Sequence, residues 1–150
     1  MTDTEEKLLA EVAWKENRHG QILGMQSVMN VVLNRAKKPG NTIKRVILAP
    51  KQFTSMSVES DPEYGLDPTQ AKGEDAVAWQ EALALAGQAA AGTLNDLTSG
   101  ATLYFDPKGI VTHRTITLPT GETIPFPQTW NEAAVKYTAT IQNQVFFREV

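Results

Sequence analysis

The sequence predicts one α+β domain, in which an N-terminal helical half packs on a small C-terminal antiparallel sheet and a cleft lies between them. The main observation is a change of period. Apolar residues recur at helical spacing between Thr4 and Gly92, whereas short alternating or β-branched runs follow from Thr98 onward. The length of 150 residues is that of one domain, so residues 1–150 are expected to form a single functional unit.

Three helices are predicted before Pro50. The first runs from about Thr4 to Trp14, where Thr4 and Lys7 give a partial capping signal. The second is the strongest, because apolar residues recur at i, i+3, i+4 and i+7, namely Ile22, Met25, Met29, Val32 and Leu33. Thr42 is expected to cap a short third helix that Pro50 stops.

The stretch from Gln52 to Gly73 is polar and rich in turn-forming pairs, so we interpret it as a long surface loop. An alanine-rich helix is predicted from Glu74 to Ala91. Gly92 follows it and supplies the left-handed residue of a C-cap.

Four stretches of the second half predict strands: 101–105, 111–118, 122–126 and 135–147. Pro119 to Gly121 indicates one hairpin turn. Gln142 and Asn143 indicate another, which joins 136–141 to 144–147. Together these strands predict a small antiparallel sheet.

Composition excludes several classes of function. The formal charge of −3 provides no general attraction to nucleic acid, and no apolar run is long enough for membrane insertion. The chain has no cysteine, and its two histidines, His19 and His113, are too far apart to form a helix-borne pair. We therefore expect no metal and no cofactor. We also expect a protein that acts as a monomer.

Glu16 is the first candidate for chemistry. If the first helix continues half a turn past Trp14, Glu16 follows Val12 by four residues and Leu9 by seven, in line with the apolar face. Partial burial disfavours a charged carboxylate, so an acid at this rim can stay protonated and donate to a leaving group. The alternative is a helix-end glutamate fully in water.

A group of acidic side chains in the polar stretch could supply a second carboxylate or hold a cation: Glu59, Asp61, Glu63 and Asp67. Their spacing lacks the alternating ligands and the turn glycine of a calcium loop. A solvated acidic loop is therefore the favoured interpretation.

Several separated blocks occur in one characteristic order: Leu9–Gln21, Val31–Arg35, Lys51–Thr54, Ala101–Pro107, Trp130 and Gln144–Arg148. In this order they resemble the motifs of the SleB/CwlJ-type cell-wall hydrolase family, a group of spore-cortex-lytic and phage peptidoglycan enzymes. Glu16 stands at the first glutamate of the family's opening motif, whereas the second glutamate of that motif is lost. Gln144 stands where a histidine is common.

The resemblance implies a lysozyme-like fold and cleavage of the peptidoglycan glycan strand between N-acetylmuramic acid and N-acetylglucosamine, with Glu16 as the catalytic acid. One carboxyl group can protonate the glycosidic oxygen and then deprotonate the muramoyl 6-hydroxyl. Because the sequence places no second carboxylate, a lytic transglycosylase is favoured over a hydrolytic muramidase.

The matched blocks also imply supporting roles at the substrate. Gln52 and Phe53 form one wall of the site, and Thr54 bonds an acetamido group. Tyr104 provides an orienting hydroxyl, and Trp130 provides a stacking surface.

A rival interpretation is a non-catalytic peptidoglycan-binding or phage structural module, in which Lys15 pairs with Glu16 and keeps it ionised. The acidic start, Met1 to Glu6, differs from the basic beginning of a secretory signal. We expect a protein made in the cytoplasm that reaches the bacterial wall in phage-infected or prophage-carrying cells.

Overall fold

A computed structural model describes all residues from Met1 to Val150 and confirms the α+β class. Contacts between Cα atoms divide the chain into two compact units, Met1–Leu97 and Thr98–Val150. The division falls where the sequence changes from a helical to a two-residue period. That residues 1–150 form a single catalytic domain stays a prediction. None of the helices is both long and apolar enough to cross a lipid bilayer.

The first helix, α1, spans Asp3–Asn17 and is longer than predicted at both ends. Its N-cap is Thr2, whose side chain accepts the Glu5 N–H while the Glu5 carboxylate accepts the Thr2 N–H. This reciprocal capping box, and not Thr4 with Lys7, starts the helix. At its C-terminal end α1 includes Glu16, so the half-turn extension is confirmed.

The helical unit continues with α2 (Gln21–Ala36) and a short α3 (Ile43–Leu48). Thr42 caps α3 as predicted, because its hydroxyl accepts the Arg45 N–H. Gly24 allows α2 to approach the end of α1 closely, since a Cβ at this position would lie 2.7 Å from the side-chain Nδ2 of Asn17 and 3.2 Å from its backbone oxygen. This close contact lies next to Glu16 in the chain.

The predicted loop from Gln52 to Gly73 contains two short helical segments. The first, α4, spans Thr54–Ser57, and the second is a 3₁₀ turn over Pro68–Gln70 whose N-cap is Asp67. The loop interpretation was therefore incomplete. The long helix α5 follows at Glu74–Ala91 and ends at Gly92, which has a φ of 75° as predicted for a left-handed C-cap.

The second unit contains two antiparallel sheets in place of the one predicted. Its strands are β1 (Leu103–Phe105), β2 (Arg114–Thr117), β3 (Thr123–Phe126), β4 (Val135–Ile141) and β5 (Gln144–Glu149). One sheet has the order β1-β5-β4, and the other is the β2-β3 hairpin. Both predicted turns are confirmed, with positive φ at Gly121 and at Gln142. Side chains of both sheets share a buried cluster that includes Phe105, Phe126 and Phe147.

Candidate active site

Glu16 lies at the edge of the helical core. Leu9, Val12 and Ala13, on the same face of α1, are fully buried, whereas Glu16 is half-buried. The helix places Glu16 there because positions three, four and seven residues apart share one face. The carboxyl group is thus neither fully solvated nor enclosed.

The buried hydroxyl of Ser55 holds the Glu16 carboxyl group. Ser55 Oγ donates a hydrogen bond of 2.6 Å to Glu16 Oε2, and Ser55 is 1% exposed. Sequence reasoning missed this residue, although Ser55 directly follows the Lys51–Thr54 block. Since α4 presents Ser55 to α1, the bond limits the positions that the carboxyl group can take.

Thr54, the neighbour of Ser55 in α4, is exposed and bonds another carboxylate. Its hydroxyl donates a 2.5 Å hydrogen bond to Asp61 Oδ2, and the Glu63 N–H donates to Asp61 Oδ1 at 2.8 Å. These two bonds, aided by the Lys15 ammonium, hold the pKa of Asp61 below its usual range. Asp61 is therefore ionised near neutral pH.

Lys15 is almost fully buried beside Glu16 in the chain. Its ammonium forms a salt bridge of 3.2 Å with Glu11 Oε2 and donates to the Tyr64 carbonyl at 2.9 Å. The rival interpretation assumed a pair between Lys15 and Glu16. The salt bridge that the structure shows for Lys15 is with Glu11.

Arg18, two residues after Glu16, also binds the acidic stretch. Its guanidinium contacts both carboxylate oxygens of Glu63, lies 3.2 Å from an Asp75 oxygen and stacks 4.3 Å from the ring centre of Trp14. The Glu63 carboxylate, together with Asp75, raises the pKa of Arg18. The interpretation of a solvated acidic loop is thus incomplete for Asp61 and Glu63, because both carboxylates, although partly exposed, have protein partners.

Gln52 and Phe53 differ in their exposure. Gln52 is exposed, and its Oε1 accepts from Arg35 Nη1 at 3.3 Å. Phe53 is 1% exposed, with the Arg35 guanidinium 5.4 Å from its ring centre. Phe53 is the residue before α4, so its buried ring packs at the start of the segment that carries Thr54 and Ser55. Its role in a wall of the site stays a prediction.

The two remaining candidates lie in the strand unit, and their roles stay predictions. Tyr104 is half-buried on β1, and its ring stacks on Phe146 with the ring centres 5.6 Å apart. Trp130 is half-buried, and three phenylalanine rings meet it at nearly right angles: Phe105, Phe126 and Phe147. Part of its indole therefore belongs to the aromatic cluster of this unit.

The helical unit thus brings together a carboxyl group at the core edge, a buried hydroxyl that holds it, and an exposed hydroxyl bonded to an ionised carboxylate. Proton transfer to and from a bound ligand is the chemistry that such groups support. No group of three or more histidine, aspartate or glutamate side chains is arranged to hold a metal ion.

A family model described as Cell Wall Hydrolase matches residues 20–147, which is well over half of the chain. The matched range includes Ser55, Thr54 and Asp61, whereas Glu16 precedes it. No curated protein and no solved structure matches the chain significantly.

Proposed function

Because the chain belongs to the cell wall hydrolase family, we propose that it cleaves the glycan strand of peptidoglycan between N-acetylmuramic acid and N-acetylglucosamine, as a lytic transglycosylase with Glu16 as its single acid and base. Membership of the family supports an enzyme that degrades peptidoglycan. The observation that supports Glu16 is the 2.6 Å bond from Ser55 to a half-buried carboxyl group at the end of α1.

In the proposed reaction, the protonated Glu16 gives its proton to the glycosidic oxygen, and the bond from that oxygen to C1 of the muramoyl ring breaks. The leaving saccharide departs with the proton, and positive charge develops at C1. The Glu16 carboxylate then takes the proton of the muramoyl 6-hydroxyl as its oxygen bonds to C1. The product carries a 1,6-anhydro ring, no water is consumed, and Glu16 is protonated again.

A single carboxyl group that first donates and then accepts a proton must lie within hydrogen-bonding distance of two substrate oxygens, the glycosidic oxygen and the 6-hydroxyl oxygen. The Ser55 hydroxyl serves this requirement, because it restricts rotation of the Glu16 carboxyl group. Ser55 is a positioning residue in this proposal, since it acts through Glu16. General acid and base assistance contributes on the order of 10²- to 10⁴-fold to rate.

The supporting roles implied by the family resemblance belong to the same proposal. Gln52 and Thr54 are exposed and can contact the strand, and Arg35 holds the Gln52 side chain. Tyr104 is proposed to orient the reacting groups through its hydroxyl, and Trp130 to stack on a sugar ring. The expected partner is peptidoglycan alone, with the protein acting as a monomer.

A hydrolytic muramidase is the second candidate, and Asp61 is the observation that favours it. Asp61 is ionised and bonded to Thr54, the residue before Ser55. An ionised carboxylate near the acid is what a muramidase uses to activate water or stabilise the sugar cation. The origin of the oxygen on the released muramoyl end separates the two reactions.

The setting that we propose is a phage or prophage lysin that reaches the wall through a pore made by another protein. Expression in a bacterial host with and without a pore-forming partner tests this part separately. Lysis that requires the pore supports it, whereas lysis without the pore contradicts it.

The central experiment is digestion of purified cell walls followed by mass spectrometry of the soluble fragments. We expect 1,6-anhydro-muramoyl ends from the parent protein and none from Glu16→Gln. Binding to the glycan without loss of wall turbidity would instead support a non-catalytic module.

A further inference from the structure

We propose that Asp61 is a positioning residue that fixes the Thr54 hydroxyl as a hydrogen-bond acceptor, so that Thr54 receives an acetamido N–H of the glycan strand. The inference rests on the proposed function, from which it takes the glycan strand as ligand. In this contact the glycan strand is the hydrogen-bond donor, and Asp61 is the residue that determines this direction.

Two consecutive residues of α4, Thr54 and Ser55, carry hydroxyl groups. Ser55 is buried and donates to Glu16 of α1, whereas Thr54 is exposed and donates to Asp61 of the following loop. Each hydroxyl thus has a carboxylate from a different part of the chain. Only the Thr54 hydroxyl is open to a ligand.

A hydroxyl group has one proton to donate and two lone pairs that accept. Thr54 commits its proton to Asp61 Oδ2 at 2.5 Å. Because an ionised carboxylate has no proton of its own, it can only accept this bond. What Thr54 retains for a ligand is therefore its capacity to accept.

Residues on both sides of Glu16 in the chain, Lys15 within α1 and Arg18 just after it, bind the loop that supplies Asp61. Lys15 donates to the Tyr64 carbonyl at 2.9 Å, and Arg18 binds the Glu63 carboxylate with two nitrogens. Hydrogen bonds thus connect α1 to α4 through Ser55, α4 to the loop through Thr54 and Asp61, and the loop to α1 through Lys15. Asp61 is therefore fixed relative to the residue that we propose as the acid.

The backbone N–H of Glu63 makes the polarity testable. This N–H donates to Asp61 Oδ1 at 2.8 Å, so an asparagine at position 61 must keep its oxygen on that side. Its NH₂ group then faces Thr54 and donates to the hydroxyl. The Thr54 hydroxyl then accepts this hydrogen bond and points its own proton toward the ligand. The Thr54 O–H and the acetamido N–H of the glycan are both donors, so no hydrogen bond can form between them.

The test measures binding by calorimetry in the Glu16→Gln background, where cleavage is blocked. The probe is a soluble N-acetylated tetrasaccharide prepared from wall glycan. We expect Thr54→Val to weaken binding by roughly 10-fold, the effect of one lost hydrogen bond. Asp61→Asn should weaken it more, on the order of 10- to 100-fold, because an unmatched donor also has to be desolvated.

The decisive variant combines both changes. Adding Thr54→Val to Asp61→Asn should restore affinity to the level of Thr54→Val alone, since residue 61 acts only through the hydroxyl. Thr54→Ser should bind like the parent. If the loss of binding free energy in the double variant equals the sum of the losses in the two single variants, the inference is overturned, because Asp61 would then act on the ligand directly.

Asp67→Asn is the matched control. Asp67 lies in the same loop and accepts the Thr69 hydroxyl at 2.7 Å and the Thr69 N–H at 3.0 Å, as Asp61 accepts from Thr54 and Glu63. Asp67→Asn removes the same charge without contact to Thr54, so binding should stay within about 2-fold, less than the loss of one hydrogen bond. An equal loss from Asp67→Asn would show a general charge effect and overturn the inference.

If Asp61→Asn unfolds the protein, Thr54→Val and Thr54→Ser decide alone, and parent-like affinity of Thr54→Val overturns the inference. Absence of tetrasaccharide binding by the Glu16→Gln protein overturns it as well. If the expected order of affinities appears but the protein with Glu16 intact cleaves no walls, the proposed reaction fails and the binding inference stands.

Discussion

Ser55 Oγ and Glu16 Oε2 lie 2.6 Å apart, although 39 residues separate them in the chain. The bond joins α4 to the last turn of α1 and is made by a serine that is 1% exposed. The hydrogen bond from the buried Ser55 hydroxyl restricts the Glu16 carboxyl group to few orientations. Such restriction favours proton transfer to one defined oxygen of the substrate.

Glu16→Gln should lower wall-degrading activity by about 10²- to 10⁴-fold, because the amide keeps the side chain's size but has no proton to give. The melting temperature should hold or rise slightly, since catalytic carboxyl groups often reduce stability. Turbidity of wall suspensions and thermal unfolding measure the two effects. Glu6→Gln, on the same helix, is the control and should retain activity. Full activity in Glu16→Gln would exclude Glu16 as the acid.

Ser55→Ala should lower kcat by roughly 10-fold with little change in KM, because the carboxyl group loses the donor that orients it. The kcat effect should persist at every pH tested, because the lost contact acts on the orientation of the carboxyl group. Ser27→Ala is the matched control, because Ser27 is also 1% exposed and bonds a backbone carbonyl in α2. Equal losses of kcat in Ser55→Ala and Ser27→Ala, or a loss confined to the melting temperature, would argue for a purely structural role of Ser55.

Digestion in water enriched in heavy oxygen should leave the released muramoyl ends unlabelled, because the muramoyl 6-hydroxyl and not water is the proposed nucleophile. Mass spectrometry of the fragments measures the label. Incorporation of solvent oxygen at these ends would identify a muramidase, and Asp61 would become the first candidate for the second carboxylate.

Asn30→Ala should lower the free energy of unfolding by about 2 to 3 kcal/mol, because both hydrogen bonds of a buried amide are lost. Asn30 is 2% exposed, donates to the Asn95 carbonyl and accepts the Leu97 N–H, each at 3.0 Å. Chemical denaturation measures the change. Gln26→Ala removes a more exposed bond to the same Asn95 carbonyl and should cost less than about 1 kcal/mol. Equal costs for both substitutions would contradict the role of burial.

Acidification should destabilise the parent more than Asp61→Asn. The Thr54 hydroxyl and the Glu63 N–H lower the pKa of Asp61 in the folded state, so its contribution is complete above the unfolded value of about 4. That contribution is lost as the pH falls through the lowered folded-state pKa. Melting temperatures measured between about pH 5 and pH 2 should therefore fall less steeply in Asp61→Asn. Parallel curves would show that Asp61 does not carry this dependence.

Much of the helical unit could be predicted from the sequence, because helix formation depends on neighbours three and four residues apart. The spacing of Glu16 from Leu9 and Val12 places it on the buried face of α1 wherever the helix extends that far. The Thr42 cap and the Gly92 C-cap were predicted for the same local reason. The predicted start of α1 was wrong because Thr2 and Thr4 are both residue types that cap helices. The signal that separates them is also local: only Thr2 has a glutamate three residues later, which completes a capping box.

The strands could be predicted individually, but their grouping could not. Turn residues between 119 and 121 and at 142 and 143 are local signals for hairpins. Whether β1 pairs with β5 or with the β2-β3 hairpin depends on contacts between residues more than 40 positions apart, such as Leu103 with Phe147. A two-residue period indicates a strand but not its partner. The sequence therefore predicted one sheet, whereas the chain forms two.

The sequence alone determined the change from helices to strands near Thr98, the position of Glu16 on α1 and the family motifs, because these follow from local period and order. Tertiary structure alone decided which polar side chains meet. Thr54 and Ser55 have similar side chains and adjacent positions, yet the path of α4 buries one against Glu16 and leaves the other exposed beside Asp61. Lys15 and Glu16 are neighbours in the chain, yet consecutive residues on a helix point in different directions, and Lys15 pairs with Glu11 one turn away.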